Sequence, residues 1–288
     1  MSVLRNGGYM ARYRIFSRIG LCALSALCLA FAADARADAT LDKVKARGTI
    51  VAGVILSGPP YGFIDPATQR QVGFNLDLAQ EIAKQLGVKL ETVTVTPPNR
   101  VSFLQQGKVD FLLANMQWTA ERAEILNFVP TPYEQSGGAP VVRKSSGIKS
   151  WADLKGKPVC VSQGSNYTQP LAETYGALPK GYPSQPESLL ALKGGNCVAA
   201  VHTGATVKLM VAEHPDEWGD YEIPFADELI PSDSVIWLRK GDADTQARLD
   251  QIMQGLYRSG WLIEAAQKNK LAVSPFVLAL QDKFKAAQ

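Results

Sequence analysis

The chain has 288 residues and a formal net charge of +3, from 30 lysine and arginine residues against 27 aspartate and glutamate residues. The first 37 residues hold five of the arginines and one aspartate, so the remainder has 25 basic and 26 acidic residues and a formal charge of −1. This balance argues against nucleic-acid binding, which needs a basic surface that neutralises phosphates. About 250 residues suffice for one large domain or two of ordinary size.

Residues 1–37 have the pattern of a secretory signal peptide. A basic start precedes an apolar core from Ile19 to Ala33, and the segment that ends at Ala37 has the small-x-small form of a cleavage site. The apolar core is too short for a membrane-spanning helix, and no later stretch approaches 18 consecutive apolar residues. The sequence therefore predicts a chain that is exported, cleaved near Ala37 and not embedded in a membrane.

The first half of the mature part alternates strand and helix signals, which favours an α/β fold with helices over a mainly parallel sheet. An apolar run from Thr49 to Leu56 predicts a strand, and apolar residues at helical spacing predict a helix that Gly87 ends. The rest of this βαβαβ unit is a strand at 88–95, a short helix at 99–106 and a strand at 109–114.

The segment around Arg122 is the first candidate for a binding site. An apolar run ends in the polar residues Asn115, Gln117 and Thr119, and Thr119 is placed to cap a short helix that carries Arg122. A guanidinium group pairs with a carboxylate through two parallel hydrogen bonds, so an arginine at a cleft edge suits a small carboxylate ligand. From this segment alone, an ordinary ion pair with a neighbouring glutamate is an equal alternative.

The second half begins at a flexible patch, residues 134–138, which we interpret as a crossing between lobes. A second βαβ unit follows, with strands at 158–162 and 197–203 and a helix at 188–193. A polar break at 230–233 precedes a further strand and an amphipathic helix that ends around Gly260. Open α/β sheets place ligands outside the carboxyl ends of their strands, so two such units predict a cleft between two lobes.

Cys160 and Cys197 are the cysteines of the mature part, and an oxidising compartment permits them to form a disulfide. Both lie where we predict the beginnings of strands, so they are equally compatible with being buried neighbours that never bond. The sequence does not supply the geometry that would decide between the two alternatives.

The order of motifs along the chain resembles that of the extracellular solute-binding proteins of family 3. The motifs are GTIVAGV, PPYGF, GFNLDLAQEIAKQLG, NRVSFLQQGKVDF, TAERAEILNFVPTPY, WADLKGKPVCVSQGSN, WLRKGDA and LYRSGWL, and they span about Thr40 to Gln267. Proteins of this family are the periplasmic, polar-amino-acid-binding components of ABC importers, and the ligand cores of ionotropic glutamate receptors look similar.

The resemblance implies an α/β fold of the periplasmic-binding-protein-like type II: a two-lobed clamshell whose lobes are mainly parallel sheets flanked by helices, with two crossing strands as a hinge. Lobe 1 would comprise residues 38–135 and 233–288, and lobe 2 residues 136–232. The implied protein is a periplasmic monomer without cofactor or metal. It would bind a small carboxylate, either an amino acid or a related organic acid, and deliver it to an ABC permease and thus indirectly to its ATPase.

The resemblance also implies a ligand site with parts from both lobes. In lobe 1, Tyr61 matches the aromatic residue that stacks against the ligand, and Arg122 matches the arginine that binds the ligand carboxylate. In lobe 2, the backbone N–H groups and side chains of Ser165 and Asn166 would close over the same carboxylate at a helix N-terminus. The implied ligand-binding residues are Tyr61, Asn115, Gln117, Arg122, Ser165, Asn166 and Thr203.

Thr203 departs from the family pattern, which has an acidic residue there to pair with the ligand ammonium group. Because a buried, unpaired ammonium is costly, the threonine disfavours an ordinary zwitterionic amino acid. Two alternatives stay open: Glu134, Asp77 or an acid that the sequence does not place supplies the contact, or the ligand is a carboxylate without a free α-amine. Basic amino acids are poor candidates, since Ile55 occupies the position of the acid that binds them.

Two other classes of protein compete with a binding protein. Cyclohexadienyl dehydratases resemble the same family, but a lyase needs a positioned acid or base, and the aligned site positions contain no carboxylate and no histidine. His202 and His214 are the only histidines, so a zinc site or a Ser-His-Asp arrangement has little support, and His202 is interpreted as a core residue. A ligand-sensing or docking subunit is the third alternative. The sequence therefore predicts a protein that is not an enzyme.

Overall fold

The computed structural model describes residues 39–287, and the predicted signal peptide at 1–37 lies outside them. The strands are β1 Thr49–Ile55, β2 Phe63–Ile64, β3 Gln71–Val72, β4 Lys89–Val95, β5 Phe111–Leu113, β6 Asn127–Phe128, β7 Glu134–Arg143, β8 Pro158–Ser162, β9 Leu178–Tyr182, β10 Ala199–Thr203, β11 Tyr221–Glu222, β12 Leu229–Ser234 and β13 Trp237–Leu238. The helices are α1 Ala39–Arg47, α2 Phe74–Leu86, α3 Arg100–Gln105, α4 Ala120–Ile125, α5 Thr168–Glu173, α6 Gln185–Lys193, α7 Gly204–Glu213, α8 Pro215–Trp218, α9 Ala243–Ser259, α10 Trp261–Lys268 and α11 Pro275–Ala286. None of these helices is long and apolar enough to cross a membrane.

The first sheet has the strand order β4-β1-β5-β13-β6. Strand β1 pairs in parallel with β4 and β5, whereas β13 returns from the far end of the chain and pairs antiparallel with β5 and β6. The predicted βαβαβ unit is therefore present, and a strand from the C-terminal part completes its sheet. Helices α2 and α9 pack on this sheet through apolar stripes, and each is followed by a glycine in the left-handed conformation, Gly87 and Gly260.

The second sheet has the strand order β11-β7-β10-β8-β9, and β12 also pairs with β7. Its parallel part is β10, β8 and β9, to which β7 is joined antiparallel. A disulfide joins Cys160 in β8 to Cys197, just before β10, with 5.7 Å between their Cα atoms. Both cysteines are buried in the core under α6 and α7, so the disulfide links two neighbouring strands whose ends reach the cavity described below.

Strands β7 and β12 connect the two sheets and pair with each other in antiparallel register. The predicted flexible patch at 134–138 is in fact the start of the ten-residue strand β7. Its glycines meet a packing need, because a Cβ at Gly137 would lie 2.6 Å from the Cβ of Glu228, and one at Gly138 would lie 2.9 Å from Val201. The predicted lobe boundaries, after residues 135 and 232, fall inside these two strands and remain a prediction.

Candidate functional site

A cavity of about 50 Å³ lies where the carboxyl ends of strands from both sheets meet. This is the position that open α/β sheets favour for a ligand. The first sheet and its connections contribute Ile55, Ser57, Pro97, Arg100, Ala114, Asn115 and Gln117, and the second sheet contributes Ser162, Ser165, Asn166, Tyr167, Gln185, His202 and Thr203.

Arg100, the first residue of α3, is the charged group in the wall of this cavity. Its side chain is buried, with 5% of the residue exposed, and one terminal nitrogen donates to the carbonyl oxygen of Ala114 at 2.8 Å. The Nε atom is buried and has no hydrogen-bond partner among the described residues. Burial, and then repulsion by Arg122, lowers the pKa of Arg100 to about 9, so the guanidinium group stays cationic at neutral pH.

Among residues 39–287, no carboxylate forms an ion pair with this buried charge. The described residues that line the cavity include neither aspartate nor glutamate. The ion pairs found between residues 39 and 287 do not involve Arg100 either. A buried charge without a partner is expensive, and an anion in the cavity would supply the missing partner.

Arg122, the predicted carboxylate anchor, lies beside the cavity and does not line it. As predicted, the hydroxyl of Thr119 caps its helix and accepts from the backbone N–H of Arg122 at 3.2 Å. The guanidinium group donates to the carbonyl oxygens of Gln117, at 2.7 Å, and of Gly164, at 3.1 Å. Arg100 approaches the same Gly164 oxygen at 3.4 Å, so two cations from the first lobe converge on one carbonyl of the second.

Asn115 and Gln117 line the cavity, but their side chains already have partners. Asn115 has a left-handed backbone, with φ of 48°, and its side-chain oxygen accepts from Asn75 at 2.8 Å. The amide of Gln117 donates to the carbonyl oxygen of Ser136 in β7. These two residues therefore also tie the wall to α2 and to the crossing strand.

Ser165 and Asn166 line the cavity from the second lobe, where the helix that follows begins later than expected. Helix α5 starts at Thr168, so the two residues lie in the preceding turn, in which the Ser165 hydroxyl accepts from the N–H of Tyr167 at 3.2 Å. The Nδ2 atom of Asn166 is buried and has no partner among the described residues. Asn166 thus gives the second wall a buried donor without a partner, as Arg100 does in the first wall.

His202 and Thr203 complete the second wall. The Nε2 atom of His202 is 2.8 Å from the hydroxyl of Ser188, and burial lowers the pKa of the imidazole to about 3. His202 is therefore neutral at physiological pH and adds no cation beside Arg100. Thr203, the last residue of β10, lines the same wall as Tyr167.

Tyr61 is not brought to the cavity wall, although the family resemblance implies that it stacks on the ligand. Its ring packs in the core of the first lobe, with 1% of the residue exposed, and its hydroxyl donates to the carboxylate of Glu134 at 2.6 Å. Burial raises the pKa of Glu134 to about 8. A stacking role for Tyr61 remains a prediction that this arrangement does not support.

The two acids proposed as contacts for a ligand ammonium are both engaged elsewhere. Glu134 is bonded to Tyr61 and does not line the cavity. Asp77, in the first turn of α2, accepts from Lys268 at 2.9 Å and from Asn269 at 2.7 Å. As far as residues 39–287 show, no group of three or more His, Cys, Asp or Glu side chains is arranged to hold a metal ion.

Arg100 is not among the site residues predicted from the sequence, which indicates the helix at 99–106 only as a connection between strands. Two signals point to it. Arg100 follows the carboxyl end of β4 by five residues, at the sheet edge where ligands bind. It also opens its helix, where the helix dipole disfavours a cation, so some other interaction must justify its position.

The model of the family "Bacterial extracellular solute-binding proteins, family 3" matches residues 50–270. The glutamine-binding protein of Geobacillus stearothermophilus is 30% identical over 182 residues, which cover 62% of this chain and 69% of that protein. The L-cystine-binding protein TcyJ of Escherichia coli strain K12 is 26% identical over 234 residues, 80% of this chain and 86% of that protein.

Among solved structures, the cysteine-binding protein from Campylobacter jejuni superimposes with a TM-score of 0.74 at 29% identity. The match covers 80% of this chain and 92% of that one. The likeness confirms the predicted fold class, the two-lobed periplasmic-binding-protein-like type II. The three proteins compared are named as binding proteins, in keeping with a binding rather than a catalytic role.

Proposed function

Since the chain belongs to the bacterial extracellular solute-binding proteins of family 3, we propose that it binds a small carboxylate between its two lobes in the periplasm. It would hand this ligand to the permease of an ABC importer. Relatives that bind glutamine and L-cystine support transport of an amino acid or a related acid.

One observation carries the choice of a carboxylate: the cavity wall contains a buried guanidinium group without any compensating carboxylate. The unpartnered Nε of Arg100 and Nδ2 of Asn166 are hydrogen-bond donors, and a carboxylate accepts through both of its oxygens. A ligand with this group would pair with the charge from the first lobe and the amide from the second, so that binding favours closure of the lobes.

The same wall argues against a free α-ammonium group on the ligand. A zwitterion would place a second cation near Arg100, with no acid in the wall to pair with it. Thr203 stands at the position where the family resemblance places an acid, and Glu134 and Asp77 are engaged elsewhere. We therefore propose a keto acid, another organic acid or an N-modified amino acid as the ligand.

A thermal-shift screen of the mature protein with matched pairs of ligands tests both parts of this proposal. The pairs are alanine with pyruvate, glutamate with 2-oxoglutarate, and alanine with N-acetylalanine. A ligand at 100 times its dissociation constant adds about 2.7 kcal/mol of stability, so binding is visible as a higher melting temperature. We expect the member of a pair without the amine to give the larger shift.

Two outcomes would contradict the proposal at different levels. A larger shift with the amino acid in every pair would contradict the proposal that the ligand lacks a free amine. It would not contradict the proposal that the ligand is a carboxylate. No shift with any of these compounds would overturn the proposal that the ligand is a carboxylate.

A further inference from the structure

A second pocket, here called the annex, adjoins the cavity that contains Arg100. Its volume is about 300 Å³, and Ser57 and Gln185 line both spaces. Residues 57–59, from the loop after β1, form one side, and helices α6 and α7 of the second lobe form the other. The annex thus continues the cavity along the cleft between the same two lobes.

The interior of the annex is mainly apolar. Leu189, Leu209, Met210 and Trp218 line it, and Leu190 at its edge is 70% exposed. Exposed apolar surface grouped around a pocket of this size is typical of a ligand-binding groove.

The acidic and lysine residues that line the annex form ion pairs. Lys193 forms an ion pair with Glu217 at 3.2 Å and lies 4.1 Å above the ring of Trp218. Glu213 pairs with Lys270 at 2.6 Å. Because these charges already have partners, an apolar molecule that enters the annex does not bury an unpaired charge.

One polar group inside the annex lacks a partner. Thr206, in α7, is 2% exposed, and its hydroxyl oxygen has no hydrogen-bond partner among the described residues. Its methyl group faces Gly58 across the cleft, 3.9 Å from where a Cβ of that glycine would lie. Buried hydroxyls are normally satisfied, so a polar ligand group that reached this oxygen would supply its missing hydrogen bond.

We propose that the annex binds an apolar extension of the ligand whose carboxylate is held by Arg100. The ligand class is then a carboxylate that carries an alkyl or aryl group, rather than a carboxylate as small as acetate. This inference rests on the proposed function, because it takes the carboxylate end from there. The inference adds that helices of the second lobe recognise the apolar part of the ligand.

Calorimetric titration of the mature protein with a series of carboxylates tests the inference. The probes are acetate, butanoate, hexanoate and 3-phenylpropanoate. Burial of each methylene group should raise the affinity about threefold to fourfold, so hexanoate should bind at least 30-fold more tightly than acetate. Equal affinities along the series would overturn the annex and leave the proposed function intact.

A variant that fills the annex, compared with a control on the same helix, tests the inference in a second way. Leu209→Trp puts a bulky indole ring at a half-buried residue of α7 that lines the annex, whereas Ala212→Trp puts the same ring at an exposed residue of that helix that does not line it. Leu209→Trp should weaken hexanoate at least tenfold and leave butanoate within threefold, and Ala212→Trp should change neither. Unaltered hexanoate binding in Leu209→Trp would overturn the inference.

A protein that has lost its fold would bind neither probe, so butanoate binding by Leu209→Trp reports that the variant is intact. Thr206→Val serves as the second variant, since it keeps the shape and removes the hydroxyl. It should weaken 6-hydroxyhexanoate about threefold to tenfold more than it weakens hexanoate. Failure of every carboxylate in the series to bind would remove the annex inference together with its carboxylate premise.

Discussion

The two lobes contribute opposite kinds of polar group to the cavity between them. The first lobe buries a cation, Arg100, beside the amides of Asn115 and Gln117, whose hydrogen bonds are already made. The second lobe contributes neutral groups, among them the uncommitted amide of Asn166 and a neutral His202. Under the proposed function, the first lobe would attract an anion through its charge, and the second would recognise it through neutral donors once the lobes have closed.

The largest effect is expected when the buried cation of the first lobe is removed. Arg100→Met should weaken binding of the best carboxylate by about 2–5 kcal/mol, the range for truncating one partner of a buried charge pair. Without ligand, the variant should unfold at the same or a higher temperature, because an uncompensated buried charge has been replaced by an apolar side chain. Calorimetry and thermal unfolding measure the two effects.

Variants at two other arginines serve as controls for Arg100→Met. Arg122→Met removes the bonds to Gln117 and Gly164 and should weaken binding less than Arg100→Met does. Arg248→Met changes an exposed arginine outside the cavity and should have no effect. A greater loss in Arg122→Met than in Arg100→Met would instead support the role that the sequence assigned to Arg122.

The two lobes also differ in the pH dependence of their buried groups. The pKa of Glu134 is raised by burial from 4.5 to about 8, so its contribution to stability is complete below pH 4.5 and is lost as the pH rises through 8. The pKa of His202 is lowered by burial from 6.5 to about 3, so its contribution is present above pH 6.5 and is lost as the pH falls toward 3. Glu134→Gln should reduce the fall in stability between pH 5 and pH 8, by an amount on the order of 3 kcal/mol.

Urea unfolding at pH 5, 6.5 and 8 measures this difference. The glutamine keeps an acceptor for the hydroxyl of Tyr61, so the variant changes the charge while preserving the contact. His202→Gln is the counterpart in the second lobe and should reduce the fall in stability below pH 6.5. Parallel stability curves for the parent and Glu134→Gln would show that the carboxyl group is not the source of the slope.

The fold could be predicted from the sequence because its signals are local and repeated. Apolar periodicity, the cap at Thr119 and the glycines after α2 and α9 each indicate the same element that the structure shows. The site is harder to predict, since it depends on which way single side chains turn. Tyr61 turns into the core toward Glu134, and Arg100 turns from a short helix into the cavity. The direction of Tyr61 is not encoded in residue type or spacing, and that of Arg100 is indicated only by its place after β4 and at the start of a helix.

A charge added to the neutral lobe would make the two lobes complementary to a zwitterion. Thr203→Asp places a carboxylate in the wall, at the position where the family resemblance puts an acid. Affinity for ordinary amino acids should rise at least tenfold, about 1.4 kcal/mol, while affinity for the matching keto acids falls. Calorimetry with glutamate and 2-oxoglutarate measures these two opposite changes in affinity, and Thr203→Asn is the uncharged control. No gain for any standard amino acid would mean that the ligand amine does not point toward residue 203.

The smallest effect is expected at the uncommitted amide of the second lobe. Asn166→Ala removes one neutral donor, and the net contribution of such a hydrogen bond is about 0.5–1.5 kcal/mol, a loss of roughly threefold to tenfold in affinity. Asn166→Asp keeps the shape but opposes the ligand charge, so it should weaken carboxylate binding more than the alanine does. Because only a closed protein brings residue 166 to the ligand, both changes should appear in the dissociation rate. Equal dissociation rates for the parent and both variants would place the carboxylate against the first lobe alone.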